Sequence, residues 1–563
     1  MRRCPTRAFP GGSPPLSRAL LAAAARCAPA QTPLDQRAVV KAWQDSQAFT
    51  PDLIDFQARV FARSGLSPTE THLPPTLNPA YVGFNARNDL DSAAKECKMA
   101  VCGAVEGLLR KTGLSPADID ILVTTCSIYC PTPSMASMVV NAFGLRKEVQ
   151  AYHLGGMGCA NGVVAVNLVA DLLKAHPNSN ALFVTTETCA PAFYPGKERH
   201  RLVTNLLFRM GAAAVLLTNK PSLARPAGRG RRGAKYQLLR RVRVHTGQAE
   251  DAYTAIHSSP DDEGINGIYL GKNVVKEASR ALALAMVKIA PHVLTWRQLA
   301  EAAIDALQRR REAAAAAAER RRQRRLARDT SAGGGGAGGD KSGAGGSDKS
   351  VKSNDSDSSR ESAAVAAGAG AEKADVATTA TSTPTATAAS ATPAARPPYR
   401  PNFQQSTISH FLLHAGGAKV LDGLGEALRL DDTKLAPSRA VLHDFGNVSS
   451  STTWYTLAFV ETTAGLKAGE RVMQVGVGSG IKCGVNVWKA LRDVREVHEA
   501  WSHRLTPLER SSLVLEHQVD VAHGWAHISL RALFAVLMVL LAAAMHWLML
   551  QRAVAAAAGG GRA

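Results

Sequence analysis

The sequence predicts an α/β protein built around a central sheet, and three observations support this fold class. Short apolar, β-branched runs at 121–126, 181–188 and 212–218 alternate with stretches of helical periodicity. The alternation stops at a low-complexity stretch over 308–397 and resumes after it. A chain of 563 residues with a hydrophobic share of 46% can also bury a large core.

Local signals define the elements before the low-complexity stretch. The segment from Asp89 to Thr112 has the periodicity of a helix. The runs ILVTTC (121–126), ALFVTTET (181–188) and AAAVLLT (212–218) are short, apolar and bounded by polar or turn residues, as buried strands are. We therefore expect strands separated by helices in this half of the chain.

Three further elements are predicted after the stretch. VLDGLGEALRL (420–430) predicts an amphipathic helix, and RAVLHDFG (439–446) predicts a strand and turn. VMQVGVGSG (472–480) predicts a strand that runs into a glycine-rich loop. This loop lacks the Lys-Ser/Thr pair of a phosphate-binding P-loop.

Composition divides the chain into seven segments. The stretch over 308–397 is rich in Gly, Ala, Ser and Thr and is expected to be disordered, because it has too few apolar side chains to offset the entropy of ordering. The predicted segments are a disordered leader or targeting segment at 1–35, an N-terminal half at 36–307, a disordered insertion at 308–397, a C-terminal half at 398–493, a linker at 494–530, a transmembrane helix at 531–552 and a tail at 553–563.

Part of the formal charge of +20 is concentrated in one run of the chain. Nine arginines fall between Arg309 and Arg328, without zinc-finger spacing, a basic zipper or interleaved aromatic residues, so we expect a solvated run and no nucleic-acid partner. The nine cysteines indicate a reducing compartment. Cys126 and Cys130 lack a second pair of ligands, and we expect no metal and no redox cofactor.

Both ends of the chain bear on its location. Five arginines and no acidic residue precede Asp35, a composition that fits an organellar transit peptide, an incomplete start or a short anchor. ALFAVLMVLLAAAMHWLML (532–550) has no formal charge and as a helix would reach about 28 Å, close to the thickness of a bilayer core. A buried core helix is the alternative to a membrane span. We predict a membrane protein.

The strongest chemical signal is HLGGMGCANGVVAVNLVADLL (153–173), where glycines precede Cys159 and an apolar helix follows it. A helix N-terminus favours a thiolate, and glycines allow backbone N–H groups to approach an oxyanion. His414 stands before Ala-Gly-Gly in a stretch where a helix would put it on one face with His410, and Asn447 follows a glycine near His443. Cys, His and Asn together predict nucleophilic catalysis. A buried structural cysteine is the alternative.

These residues lie in stretches that resemble the plant-type 3-ketoacyl-CoA synthases, relatives of chalcone synthase in the thiolase superfamily. The similar stretches lie within about 42–307 and 398–493 and include CSIYCPTPSMASMVVNAFGLR, YHLGGMGCANGV, NLLFRMGAAAVLLTN, HFLLHAGGAKVLD, SRAVLHDFGNVSSSTTWY and VGSGIKCGVNVWKALR. The resemblance implies a thiolase-like duplicated α/β domain with αβαβα layers, assembled as a homodimer. It also implies an acyltransferase that elongates very-long-chain fatty acids with acyl-CoA and malonyl-CoA as substrates.

The resemblance assigns roles to individual residues. Cys159 would accept the acyl group, and His414 and Asn447 would stabilise the enolate left when malonyl-CoA loses CO₂. Three further histidines match the active site of the family, with structural support as the alternative for each: His245, His410 and His443. Four residues are expected to contact the substrate or support the cysteine: Phe208, matching a gatekeeping position or serving as a core aromatic, and Gly478, Ser479 and Gly480 of the glycine-rich loop.

The sequence departs from the family in two respects and leaves two other functions open. Family members carry two N-terminal membrane helices, whereas the apolar segment here is C-terminal, and the insertion at 308–397 is additional. The resemblance implies the endoplasmic reticulum and partner reductases and a dehydratase. A type III polyketide synthase-like enzyme and an inactive membrane scaffold of an elongase complex are the alternatives.

Overall fold

A nine-stranded mixed sheet organises the protein. The computed structural model describes residues 18–25, 32–33, 35–46, 49–74, 76–78, 89–221, 233–332 and 399–506. The strands are β1 (Arg18–Ala25), β2 (Thr32–Pro33), β3 (His72–Leu73), β4 (Ile121–Cys126), β5 (Gln150–Gly155), β6 (Asn180–Glu187), β7 (Gly211–Thr218), β8 (Tyr236–His245), β9 (Ile256–Pro260), β10 (Asn266–Leu270), β11 (His410–Leu413), β12 (Arg471–Gly478) and β13 (Lys482–Ala490). The large sheet has the order β11-β12-β13-β8-β1-β7-β6-β4-β5.

Helices alternate with the strands along the chain. They are α1 (Gln36–Ser46), α2 (Pro51–Ala62), α3 (Leu90–Thr112), α4 (Met135–Phe143), α5 (Asn161–Ala175), α6 (Arg199–Leu207), α7 (Glu250–Tyr253), α8 (Val274–Val293), α9 (Trp296–Ala332), α10 (Ala418–Leu428), α11 (Asp432–Phe445) and α12 (Thr452–Thr463). The predicted helix from Asp89 to Thr112 is confirmed as α3, whose first turn is capped by the Asp89 side chain. The predicted strands at 121–126, 181–188 and 212–218 are confirmed as β4, β6 and β7.

The same strand pattern occurs in the two halves of the sheet. The neighbours β4 and β6 are parallel, and β7 follows them antiparallel. The neighbours β11 and β12 are parallel, and β13 follows them antiparallel. Because β8 pairs with β13 along almost its whole length and with β1 at two positions, β8 belongs to the second half of the sheet although it precedes the insertion.

Two apolar layers show how the strands face their helices. Leu122 and Leu182 lie in a core cluster with residues of α3 and α4, whereas Val123 and Phe183 lie in the cluster with residues of α5 and α12. Successive side chains of a strand point to opposite faces, so these fully buried strands carry apolar residues on both. Helix α5 contacts β4 and β6 of one half and β12 and β13 of the other. The start of α5 is therefore enclosed by both halves.

Several predictions differ from the structure. RAVLHDFG (439–446) is not a strand: it completes helix α11, because Asp431 caps a helix that continues to Gly446 at positive φ. The stretch with His410 and His414 is not helical, since His410 begins strand β11. Part of the predicted leader, Arg18–Ala25, forms a strand between β7 and β8.

The described residues divide into two compact units, one within 1–293 and 407–563 and the other within Leu294–Ser406, which contains the start of the predicted insertion. Helix α9 runs through Ala332, so 308–332 is helical where composition predicted disorder. Ala, Arg, Glu and Gln are all strong helix formers, which accounts for the difference. The remainder of the insertion up to 398 lies outside the described residues.

None of the helices within the described ranges has both the length and the apolar character needed to cross a bilayer. The predicted transmembrane helix at 531–552 and the tail at 553–563 lie outside those ranges, as does most of the predicted linker.

Candidate functional site

Cys159 lies on a tight turn between β5 and α5. Gly156 and Gly158 have φ angles of 65° and 73°, a left-handed conformation that glycine adopts without strain. The backbone N–H of Asn161 donates to the Gly158 carbonyl at 3.0 Å and begins α5. The predicted cysteine turn at the start of a helix is confirmed.

Burial dominates the electrostatics of this cysteine. It is the largest of the effects that together raise the pKa of the Cys159 thiol to about 12, and the nearby Glu187 carboxylate acts in the same direction. A hydrogen bond from Ser449 and the positive charge of Lys482 act in the opposite direction, because both favour the thiolate. The position at a helix N-terminus, which predicted a thiolate, is outweighed by burial.

Ser449 connects the cysteine to the second half of the site. Its hydroxyl donates to Cys159 Sγ at 3.3 Å, and its backbone N–H donates to Asn447 Oδ1 at 2.9 Å. The second bond identifies the amide oxygen of Asn447 and so turns its NH₂ group the other way, where Nδ2 lies 3.4 Å from the Gly416 carbonyl. Among the described residues, the second N–H of Asn447 has no protein acceptor.

His414 joins the same group through Thr452. It directly follows β11, and its backbone N–H donates to the Val475 carbonyl at 3.0 Å. The ring nitrogen Nδ1 lies 2.7 Å from Thr452 Oγ1, and this hydroxyl donates to the Ser449 carbonyl at 2.8 Å. Burial lowers the pKa of His414 to about 4, so the ring is neutral at pH 7.

The glycine-rich loop packs directly on the cysteine turn. A Cβ atom placed on Gly478 would lie 2.7 Å from the backbone nitrogen of Cys159, and one placed on Gly158 would overlap Ser479. Lys482 Nζ donates to the Ser479 carbonyl at 2.6 Å. Gly480 has a φ of 62° and closes the loop. These contacts support the cysteine turn by close backbone approach, one of the two roles predicted for the loop.

Phe208 lies next to Asn447. It is nearly buried and forms an isolated parallel β-bridge with Asn447. The adjacent backbone N–H groups of Asn447 and Arg209 complete the pairing, since they donate to the carbonyls of Leu207 and Asn447. Phe208 thus borders the site through its backbone.

The other predicted histidines are not part of this hydrogen-bonded group. His245, at the end of β8, pairs across the sheet with Lys482, which places it beside the Gly480 turn. His410 lies at the opposite end of β11 from His414, about 13 Å away at about 3.3 Å per residue, and its Nε2 lies 3.4 Å from Glu470. His443 lies on α11 beside Asp444.

Comparison with known proteins accords with this geometry. Residues 23–311 match the family described as FAE1/Type III polyketide synthase-like protein, and residues 404–491 match the C-terminal domain of chalcone and stilbene synthases. The Arabidopsis thaliana protein 3-ketoacyl-CoA synthase 6 is 33% identical over 453 residues, which cover 80% of this chain and 72% of that protein. 3-ketoacyl-CoA synthase 5 of the same plant is also 33% identical over 453 residues, which cover 80% of this chain and 73% of that protein. The chain belongs to the 3-ketoacyl-CoA synthase family.

The resemblance inferred from the sequence motifs is confirmed, and with it the assignment of this synthase to the acyl-transferring condensing enzymes. Two solved structures share the fold. The type III polyketide synthase domain of Steely1 from Dictyostelium has a TM-score of 0.54 and 15% identity, covering 84% of this chain and 99% of that one. The tetrahydroxynaphthalene synthase of Streptomyces coelicolor has a TM-score of 0.53 and 17% identity, covering 85% and 99%. The predicted thiolase-like α/β fold is thus confirmed.

Sequence reasoning missed three members of the synthase site. Ser449 and Thr452 hold the cysteine, histidine and asparagine together, and the sequence signal was the polar run that follows Asn447. Glu187 is buried beneath them at the end of β6, where it accepts hydrogen bonds from the Cys126 thiol at 3.1 Å and the Ile128 backbone at 3.0 Å. Nothing in the strand run ALFVTTET distinguishes this glutamate from an ordinary strand end. Across the described residues, no cluster of three or more His, Cys, Asp or Glu could hold a metal ion.

Proposed function

We propose that the synthase catalyses decarboxylative Claisen condensation of malonyl-CoA with a long-chain acyl group held on Cys159, which yields a 3-oxoacyl-CoA two carbons longer. One observation carries the proposal: the Cys159 sulfur, the Asn447 amide and the His414 ring are joined through Ser449 and Thr452 in a single hydrogen-bonded group. A nucleophile beside fixed polar groups is what thioester exchange and enolate stabilisation require.

The reaction divides into two steps. The Cys159 thiolate attacks the acyl-CoA carbonyl, forms a thioester and expels the CoA thiolate. Malonyl-CoA then loses CO₂, and the resulting enolate attacks the thioester and expels Cys159. The second N–H of Asn447 stabilises the enolate oxygen, and so does the ring of His414 once it has taken up the proton that Cys159 loses. A preorganised donor of this kind contributes about 10²–10³ in rate.

A yeast strain defective in fatty acid elongation tests the function. Expression of the wild-type chain is expected to produce acyl chains longer than those of the empty strain, and Cys159→Ala is expected to abolish them. Cys102→Ala is the matched control, because Cys102 is a free, part-buried thiol on α3 away from the site. Equal products from wild type and Cys159→Ala would refute the cysteine mechanism.

The same experiment separates the two alternatives. An inactive scaffold of an elongase complex would leave the lipid profile of the strain unchanged in both the wild-type and the Cys159→Ala cultures. A type III polyketide synthase-like enzyme would convert malonyl-CoA alone into products of several extensions, which product analysis of the purified protein would reveal. The 33% identity to the Arabidopsis synthases over most of the chain favours the single condensation.

We further propose that the synthase is membrane-bound, in the endoplasmic reticulum, through the apolar segment 531–552, and that it acts as a homodimer with the reductases and dehydratase of an elongase. The support is the uncharged apolar run itself together with the apolar substrate. Deletion of 531–563 is expected to release the protein from alkaline-washed membranes. Retention of the truncated chain on the membrane would exclude that segment as the anchor.

A further inference from the structure

Thr452 links the ring of His414 to the backbone of Ser449, and these contacts bear on which ring nitrogen of His414 carries the hydrogen. It is buried, it begins α12, and its side-chain oxygen makes two contacts. One is to the ring nitrogen Nδ1 of His414 at 2.7 Å, and the other is to the backbone carbonyl of Ser449 at 2.8 Å. The two partners make different demands, because a carbonyl oxygen can accept a hydrogen bond but cannot donate one.

A hydroxyl has a single hydrogen to donate. If Thr452 gave it to the ring, two oxygens 2.8 Å apart would face each other without a proton between them. Other threonines of α12 show the same preference for a backbone carbonyl. Thr456, Thr462 and Thr463 each donate to the carbonyl four residues earlier, at 3.0, 2.8 and 2.8 Å. The hydrogen of Thr452 therefore points to Ser449, and the ring nitrogen Nδ1 of His414 must donate to the hydroxyl.

A hydrogen on Nδ1 also determines whether the other ring nitrogen of His414, Nε2, carries a hydrogen. A neutral imidazole carries one hydrogen, so a hydrogen on Nδ1 leaves Nε2 with a free lone pair. A Cβ atom placed on Gly416 would lie 3.1 Å from Nε2, which locates this nitrogen beside the Ala-Gly-Gly turn. In the part of the chain that the structure describes, no protein group is hydrogen-bonded to Nε2 of His414.

We propose that Thr452 is a positioning residue that holds His414 in the tautomer with its hydrogen on Nδ1, and so makes Nε2 the nitrogen that receives the catalytic proton. The proposal rests on the proposed function in one respect, namely that His414 serves the condensation. Threonine is suited to the role because its hydroxyl is fixed by the Ser449 carbonyl rather than free to rotate.

The proton balance of the reaction follows from this tautomer. The proton that Cys159 loses passes to Nε2 and leaves an imidazolium, while the Cys159 sulfur forms its bond to the acyl carbon and the bond from that carbon to the CoA sulfur breaks. The departing CoA thiolate takes one proton from water, which is the proton that the overall condensation consumes. The imidazolium keeps this proton on Nε2 and donates a hydrogen bond from it to the enolate oxygen once malonyl-CoA has lost CO₂. When the enolate carbon bonds to the acyl carbon and the thioester bond breaks, the imidazolium returns the proton to the Cys159 thiolate.

Two substitutions at Thr452 separate the hydroxyl from its surroundings. Thr452→Val keeps the shape and removes the hydroxyl, whereas Thr452→Ser keeps the hydroxyl. Thr456→Val is the matched control, because Thr456 is a buried threonine one turn further along α12 whose hydroxyl also donates to a backbone carbonyl. The purified full-length synthase is mixed with a long-chain acyl-CoA, and the rate of Cys159 acylation is measured as a function of acyl-CoA concentration.

The acylation rate constant is expected to fall about 10²-fold in Thr452→Val, while the acyl-CoA concentration for half-maximal rate stays unchanged. In a Ser-His-Asp site the wrong tautomer costs about 10⁴-fold, and the loss here is smaller because valine leaves both tautomers populated. Thr452→Ser and Thr456→Val are expected to stay within about threefold of the wild type. Equal losses in Thr452→Val and Thr456→Val would instead indicate a packing role and overturn the inference.

A second readout does not depend on the proposed function. The rate at which iodoacetamide alkylates Cys159 at pH 8 requires only that a base take the thiol proton. It is expected to fall in Thr452→Val and to recover in Thr452→Ser. If the wild-type chain fails to elongate any acyl-CoA yet shows this pattern, the proposed function fails and the positioning role stands. An alkylation rate in Thr452→Val equal to that of the wild type would refute the positioning role.

Discussion

Removing the Ser449 hydroxyl is the most direct test of the site. Ser449 donates to Cys159 Sγ at 3.3 Å, and this bond lowers the pKa of a thiol that burial raises to about 12. A hydrogen bond to a charged group contributes about 1.5–3 kcal/mol. Because the bond favours the thiolate, its loss in Ser449→Ala raises the pKa of Cys159 still further. At a fixed pH the thiolate fraction is expected to fall about 10- to 100-fold, since about 1.4 kcal/mol corresponds to a factor of ten.

The assay is alkylation of Cys159 by iodoacetamide between pH 7 and 10, because only the thiolate reacts. The whole rate profile of Ser449→Ala is expected to move to higher pH. Ser449 has a φ of 51°, so Ser449→Gly relaxes the backbone and also removes the hydroxyl. Equal slowing in Ala and Gly variants would assign the effect to the hydroxyl rather than to the backbone.

Ser451→Ala is the matched control for this experiment. Ser451 is a fully buried serine two residues away whose hydroxyl donates to the Thr185 carbonyl at 3.0 Å and not to the cysteine. Its loss is expected to lower the free energy of unfolding by about 1 kcal/mol and to leave the alkylation profile in place. The reasoning is refuted if Ser449→Ala is alkylated at the wild-type rate throughout the pH range.

Three further predictions concern the loop, a histidine and the core. Gly478→Ala is expected to lower the condensation rate about 10²-fold, because its Cβ would lie 2.7 Å from the Cys159 nitrogen and force the cysteine turn to shift. His410→Ala is expected to keep the rate within about threefold, measured as elongated product, since the weak contact to Glu470 lies far from the site. Lys235→Met is expected to lower the free energy of unfolding in urea by about 3–5 kcal/mol, because buried Glu461 would lose the ammonium group at 2.7 Å.

A control variant or a refuting result can be named for each of these three substitutions. Gly423→Ala on α10 is the control for the loop, because the Cβ there would meet a movable Val275 side chain, and full activity in Gly478→Ala would refute the close-packing argument. A rate loss in His410→Ala as large as that in His414→Ala would place His410 in the site. Lys41→Met removes an exposed ion pair and is the control for Lys235→Met. If both variants lost the same free energy of unfolding, burial would not explain the effect at Lys235.

Local signals in the sequence were sufficient for much of the fold. The apolar run at 121–126 and the capped helix after Asp89 depend on neighbouring residues, and both formed as predicted. The strand predicted for RAVLHDFG (439–446) was wrong because its apolar residues suit a strand or a helix equally. The Asp431 cap, which favours a helix, lies outside that run. The disorder predicted for 308–332 was wrong because the prediction relied on low complexity, although the residues of this stretch favour a helix.

The sequence by itself determined the residue types of the site and the family that carries them, since glycines around Cys159, a histidine before Ala-Gly-Gly and an asparagine after glycine are all local patterns. Only the tertiary structure decided which side chains meet. The Ser449 hydroxyl reaches a sulfur 290 positions earlier in the chain, and the buried Glu187 carboxylate lies beside both. The physical reason is that hydrogen bonds and burial depend on distance in space, and α5 and α12 bring these segments together only when both halves of the sheet enclose them.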